Sequence, residues 1–366
     1  MSDANLLLAI GASDIGGGQK VFLSLAQELH RRGSPPVVVL PPGPLVELVK
    51  PFAARLYVVD LSSLSSLPQI AGIVRRERTA TLNPHLTKCS LLFAVVNIFF
   101  RRRLFCTLHN AVTHAALTAR ERRIYPALYW LLQRLSTGIL VTSEQNKRHM
   151  VEVAGMDARK VTAIRTGIDV EGFARQREPR GSSDTLVIGA VGRLSPEKGH
   201  VFLVRALSYL RGIDCLCLLV GDGPLRAELE QVAVQEGVAD RIRFLGFQEN
   251  VAGVMSQMDV VVMPSLDESF GLTILEAFAL EKLVIASDVG GIPELVQHGR
   301  TGILVPARDS AALAAAIEYS LAHRTECQQM ARDAYAFAVN TFTTSAMVDR
   351  FLAALNGHAC AGPLNP

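Results

Sequence analysis

Tryptophan occurs once in these 366 residues and cysteine six times, at positions too scattered to pair by spacing. Cys89, Cys106, Cys215, Cys217, Cys327 and Cys360 contain no C-x-x-C, so the usual zinc and dithiol patterns are missing. They read as buried free thiols suited to a reducing cytoplasm. Long apolar runs are also lacking. Leu91 to Phe100, closed by Arg101 to Arg103, is only ten residues long, half of the roughly 20 that a spanning helix needs. It reads as a helix buried between a sheet and its neighbours, with an interfacial helix as the alternative. Leu6 to Ala12 has no basic flank and reads as a first strand, not a signal peptide. No G-x-G-x-x-G follows that strand and no acidic residue closes the second, which weakens a nicotinamide-cofactor reading. A Walker A loop and a D-x-D pair are likewise absent.

Charge is sparse and unevenly spread. Charged residues make up 19% of the chain and the net charge is +3, yet residues 1–170 hold 21 Lys and Arg against 11 Asp and Glu. A first half that is basic suits an anionic partner such as a membrane surface. Nucleic acid is a poor fit, because Arg75-Arg76, Arg101 to Arg103 and Arg122-Arg123 carry no interleaved stacking aromatics.

What the chain does have is 49% hydrophobic residues in short runs alternating with helix-length amphipathic stretches, the pattern of βαβ units and parallel sheets. Strands are expected near 5–11, 36–40, 55–59, 79–82, 103–108, 137–142 and 161–165, with helices over 19–32, 86–100, 119–135 and 143–153. After an aperiodic stretch at 171–185 a second series follows. Its strands fall near 186–191, 214–220, 241–245, 259–263, 283–286 and 302–305, and its helices over 199–210, 224–236, 249–257, 271–281 and 309–322. The reading is an α/β chain of two Rossmann-like domains, 1–170 and 186–341, joined by the linker 171–185. Residues 342–366 form a last amphipathic helix and tail, the helix crossing back to the first domain.

In open α/β sheets, ligands sit beyond the carboxyl ends of the strands, so those loops are where chemistry is expected. Gly16-Gly17-Gly18 after the first strand would let a ligand approach the backbone and leave helix-start amides open to an anion. His109 ends a strand of the same half, where a neutral imidazole serves chemistry near pH 7. In the second half, Gly192-Arg193-Leu194-Ser195-Pro196-Glu197-Lys198-Gly199 brackets a tight loop with a guanidinium and an ammonium able to reach a pyrophosphate. Gly221-Asp222-Gly223-Pro224 shapes the next turn. Glu268-Ser269-Phe270-Gly271-Leu272-Thr273-Ile274-Leu275-Glu276 places one carboxylate in a loop, phosphate-seeking amides at a helix start, and a second carboxylate about two turns in.

The ordered set G-R-L-S-P-E-K-G, G-D-G-P, E-S-F-G-L-T-I-L-E and G-G-I-P-E-L-V resembles the retaining glycosyltransferases of family 4. The likeness covers nearly the whole chain. It implies the GT-B fold, with two domains facing across a cleft and closing over a nucleotide-diphosphate sugar, and a hexosyltransferase activity. By that resemblance Arg193 and Lys198 neutralise the diphosphate, amides at Gly271, Leu272 and Thr273 cap it, Glu276 holds the ribose, and Phe247 lies near the base. Glu268 takes the sugar hydroxyls, Gly16 and Gly17 approach the donor, and His109 lies beside the reacting sugar. No metal and no other cofactor is expected. The expected acceptor is a glycan or lipid-linked glycan in bacterial surface-polysaccharide, lipopolysaccharide or glycolipid synthesis, met in the cytoplasm or at the inner face of the membrane. The alternative is a nucleotide-binding protein that kept the fold without catalysis. Asn110, Gln19 and Thr166 stand where the family often has Asp, Glu and Asn, which bears on acceptor geometry and not on the charged donor ligands.

Overall fold

The computed structural model describes residues 6–109, 119–178 and 185–357; Asn110, Cys360 and the side chains of Arg122 and Arg123 lie outside them. The chain forms two compact units, Met1–Gly167 with Thr344–Pro366, and Ile168–Thr343.

The strands of the first unit are β1 (Leu6–Ile10), β2 (Val37–Leu40), β3 (Arg55–Val58), β4 (Thr81–His85), β5 (Arg103–Leu108), β6 (Gly138–Val141) and β7 (Val161–Ala163). They form one parallel sheet in the order β3-β2-β1-β4-β5-β6-β7. Helices α1 (Gly17–Arg31), α2 (Leu45–Val49), α3 (Leu67–Glu77), α4 (Thr87–Phe100), α5 (Ala119–Leu135) and α6 (Glu144–Glu152) cover its faces. Strands such as LLLAI and VVVL are apolar on both faces because helices bury both faces of a parallel sheet. The strand order reverses between β1 and β4, whose carboxyl ends therefore open beside one another.

The second unit begins with α7 (Val170–Arg175), so the stretch read as a linker opens as helix: the Asp169 carboxylate caps it by accepting from the Gly172 amide at 2.9 Å. Strands β8 (Leu186–Val191), β9 (Cys215–Val220), β10 (Ile242–Gly246), β11 (Val260–Met263), β12 (Leu283–Ser287) and β13 (Ile303–Val305) follow. They alternate with α8 (His200–Tyr209), α9 (Arg226–Gln235), α10 (Val251–Ser256), α11 (Leu272–Ala279), α12 (Ser310–Ala322) and α13 (Arg324–Thr341). This parallel sheet runs β10-β9-β8-β11-β12-β13, with its reversal between β8 and β11. Helix α13 was not among the expected elements.

The last helix, α14 (Thr344–Leu355), returns to the first unit. Its Met347, Val348, Phe351 and Leu355 are buried in one apolar cluster with Phe22, Leu25 and Leu29 of α1. Arg32 clamps the pair, donating to Asp349 at 2.6 Å and to the Ser345 hydroxyl at 2.7 Å.

Helix α4 corrects one expectation in part. Leu92, Phe93 and Val96 are buried as expected, but Ile98 and Phe99 are 52% and 83% exposed. One face packs on the sheet while the other outruns its neighbours. Among the described residues no helix is long and apolar enough to cross a membrane.

Candidate functional site

In the second unit the loops after β8, β9, β11 and β12 interlock at one edge of the sheet. Each contact is tight enough to demand glycine. A side chain at Gly221 would meet the Gly192 carbonyl oxygen at 2.0 Å, and one at Gly223 would meet that of Leu194 at 2.4 Å. The Leu194 amide donates to the Asp222 carbonyl at 3.0 Å, and the Leu225 amide donates back to the Leu194 carbonyl. The G-D-G-P turn is thus the floor of the Arg193 loop. Gly199, at φ +63°, lets the end of that loop press against the Pro264 carbonyl, and the Leu266 amide donates to the Glu197 carbonyl at 2.8 Å. Gly290, at φ +54°, lies under the Glu268 carbonyl, which accepts from the Gly291 amide at 2.9 Å.

That framework brings together most of the residues expected from sequence. The Lys198 ammonium donates to the Glu268 carboxylate at 2.5 Å, joining loops 70 residues apart in the chain. Both side chains are largely covered, at 26% and 12% exposure. Arg193 is exposed on the same loop. Gly271, at φ +101°, is the N-cap of α11 and gives no side-chain cap, so the amides of Leu272 and Thr273 open the helix without one from it. Glu276 is buried in the second turn. Phe247 sits just past β10, two strands from β8 and three from β11, and is 71% exposed; the Gly221 amide ties that strand end to the G-D-G-P turn through the Gly246 carbonyl at 2.8 Å. His200, at the start of α8, is buried with no partner for Nδ1 among the described residues, and burial, aided by the Lys198 charge, pushes its pKa down to about 4.

In the first unit Gly16, Gly17 and His109 gather at the carboxyl edge. Gly16 caps α1 in extended conformation without a side-chain cap, and Gly17 opens the helix. A side chain at Gly18 would touch the His109 ring at 3.1 Å. His109 is buried, and desolvation pushes its pKa down to about 4. It does not stand alone. His109 Nε2 is 2.8 Å from His85 Nδ1, and His85 Nε2 is 2.8 Å from Asn83 Oδ1. His85 and Asn83 were not singled out from sequence, although their spacing of two on β4 puts both on one face of the sheet.

Two doubly wound units, with their loops built up at the carboxyl edge and a final helix returned to the first, define the GT-B class of α/β proteins. Anabaena HepE, solved in complex with UDP and glucose, shares this fold at a TM-score of 0.84 and 24% identity, over 96% of this chain and 99% of that one. The chain belongs to the family 4 glycosyltransferases. The model of the family described as Glycosyltransferase Family 4 matches residues 15–171, and that of Glycosyl transferases group 1 matches residues 185–323. Among its relatives, the alpha-D-kanosaminyltransferase of Streptomyces kanamyceticus is 30% identical over 248 residues, 64% of each protein. The D-inositol 3-phosphate glycosyltransferase of Mycolicibacterium smegmatis is 28% identical over 339 residues, 82% of this chain and 77% of that one. The match to the first of these spans just under two thirds of that relative's length.

Proposed function

We propose that the chain is a retaining glycosyltransferase that moves a hexose-type sugar from a nucleotide-diphosphate sugar to a glycan or lipid-linked acceptor in bacterial surface-polysaccharide or glycolipid synthesis. The observation that supports it most is the Lys198–Glu268 pair beside the bare start of α11. Glu268 takes one of the three ammonium donors and holds the side chain in place, leaving two for a phosphate oxygen. Cleavage of the anomeric C–O bond builds negative charge on the departing diphosphate. Lys198, Arg193 and the Leu272 and Thr273 amides then act more strongly on the transition state than on the ground state. Glu276 takes the ribose, Phe247 the base, and Glu268 the sugar hydroxyls with its remaining acceptor capacity. Gly16, Gly17 and His109 receive sugar hydroxyls in the first unit. Front-face departure and attack is the favoured retaining route, since Glu268 is engaged with Lys198. A cationic clamp of this kind needs no metal ion.

The test is transfer by purified protein, with donors chosen by a thermal-shift panel of nucleoside diphosphates and their sugars. Lys198→Ala and Glu268→Ala should each lower kcat by about 10²–10³ with the fold intact, and a chelator should leave the wild-type rate unchanged. Nucleotide binding with no transfer to any acceptor would establish the non-catalytic alternative, and wild-type rates in both variants would remove these residues from the site.

For the acceptor, we propose a lipid-linked glycan presented at an anionic membrane surface. Phe99 and Ile98 on α4 and Trp130 on α5 are exposed apolar groups on packed helices, with exposed Arg101 at the end of α4. Arg103 is less available, because it donates to the Leu355 carbonyl. Vesicles rich in phosphatidylglycerol should retain the protein, and Phe99→Ser with Arg101→Glu should release it at unchanged donor binding. Equal retention on neutral vesicles, or no release, would count against this acceptor.

A further inference from the structure

The sequence Asn83-Pro84-His85 sets up an unusual strand. β4 is central, paired with β1 and β5, yet Pro84 has no amide to give to the ladder. With His85 opposite Thr107, the Leu86 amide donates to the Thr107 carbonyl at 2.9 Å, and the bond two residues earlier would run from residue 84 to the Phe105 carbonyl. Asn83 supplies it instead, its Nδ2 donating to the Phe105 carbonyl at 2.7 Å and to the Thr107 hydroxyl at 2.9 Å. A backbone carbonyl only accepts, so the orientation of the Asn83 amide is settled and Oδ1 is the atom turned to His85.

The rest follows from donor and acceptor inventory. Asn83 Oδ1 accepts, so His85 Nε2 carries a hydrogen and donates to it across 2.8 Å. His85 is neutral, since burial and the neighbouring His109 hold its pKa well below the ordinary value, and its Nδ1 is therefore a lone pair. The atom 2.8 Å away, His109 Nε2, must then be the donor. His109 Nδ1, the one ring nitrogen not engaged with His85, is left as an acceptor.

We infer that Asn83 and His85 are positioning residues that lock His109 in its Nε2-protonated neutral form, so that His109 receives a hydrogen bond from a sugar hydroxyl and makes none to a phosphate oxygen. The chain orients and does not relay protons. A proton taken at Nδ1 of His109 and passed through His85 would end on the amide oxygen of Asn83, which is far too weak a base to keep it. The surroundings favour the neutral rings: the small cavity beside the pair is walled largely by Val21, Leu25, Leu140, Met347 and Phe351. The sugar ligand rests on the glycosyltransferase reading, while the tautomer does not.

The full chain labelled with ¹⁵N-histidine separates the two. Long-range ¹H–¹⁵N correlation should show His109, assigned by its loss in His109→Gln, as a single neutral ring protonated at Nε2. His85→Asn places an amide oxygen near the old Nδ1 and should preserve that signature, whereas His85→Leu should yield a mixture of tautomers. In transfer assays His85→Leu should lose about tenfold in kcat/KM, with most of it restored in His85→Asn. Among monodeoxy donors and acceptors, the one lacking the recognised hydroxyl should slow the wild type and not His85→Leu. An Nδ1-protonated or charged His109 in the wild type, an unchanged tautomer in His85→Leu, or equal losses in the Leu and Asn variants would overturn the inference. If His85→Leu does not fold, the wild-type and His85→Asn spectra decide it. If no sugar is transferred from any donor, the proposed function fails and the tautomer is still read.

Discussion

Phe247 shows what a single side chain adds at the residue scale. Nothing in its local sequence distinguishes it from a core aromatic, and only the fold leaves it 71% exposed past the end of β10. In the donor site proposed above this ring stacks on the base, and stacking of this kind is worth about 1–3 kcal/mol. Phe247→Ala should therefore weaken nucleoside-diphosphate binding roughly ten- to hundredfold in calorimetry, and an unchanged Kd would place the base elsewhere. The charged residues proposed to hold the donor were easier to single out. Arg193, Lys198 and Glu268 stand out as charges close to glycine in loops after strands, and Glu276 as a carboxylate inside an apolar helix. His85 and Asn83 were hidden because the partner that gives them meaning, His109, lies 24 residues from His85 along the chain.

Elements were read well where apolar runs were clean and poorly where a side chain substituted for backbone. β5 lies at Arg103–Leu108 as expected. β4 runs Thr81–His85 and not 79–82, because Pro84 reads as a strand breaker and only the Asn83 side chain repairs the ladder. The glycines of the second unit belong to this scale as well, since they set how one loop sits on another. Gly290→Ala would impose a left-handed residue and drive its side chain to within 2.0 Å of the Glu268 carbonyl. We expect a loss of about 2–4 kcal/mol in denaturant unfolding together with impaired activity. Gly299, at φ +75° with open space around it, is the control: Gly299→Ala carries only the backbone strain, about 1 kcal/mol, and should leave activity alone. Equal effects at the two positions would show that conformation, not loop contact, is what Gly290 supplies.

Across the whole molecule, the order of residues along the chain is not the order of folding units. Residues 344–357 complete the first unit, and cutting them away uncovers Met347, Val348, Phe351 and Leu355 together with their partners on α1. Burial of four such side chains is worth roughly 6–12 kcal/mol, comparable to the whole stability of a domain. A fragment of residues 1–167 should therefore be aggregated or molten by near-ultraviolet circular dichroism, and the same fragment fused through a flexible linker to 344–357 should fold cooperatively. A cooperative transition in the fragment alone would show that α14 is dispensable.

The amino-acid sequence by itself determined the α/β class, the division into two Rossmann-like halves, the return of the last helix and the glycine-rich loops with their charged residues. Those properties depend on local periodicity and on backbone conformations that few residues adopt, which is information carried within short windows. Only the tertiary structure decided that Lys198 pairs with Glu268, that Gly290 supports the Glu268 loop, and that Asn83, His85 and His109 line up within hydrogen-bonding distance. Lys198 to Glu268, Gly290 to Glu268 and His85 to His109 each join residues at least 22 positions apart through hydrogen bonds or contacts whose distances depend on how parallel strands are ordered, and strand order arises from packing both faces of a sheet at once.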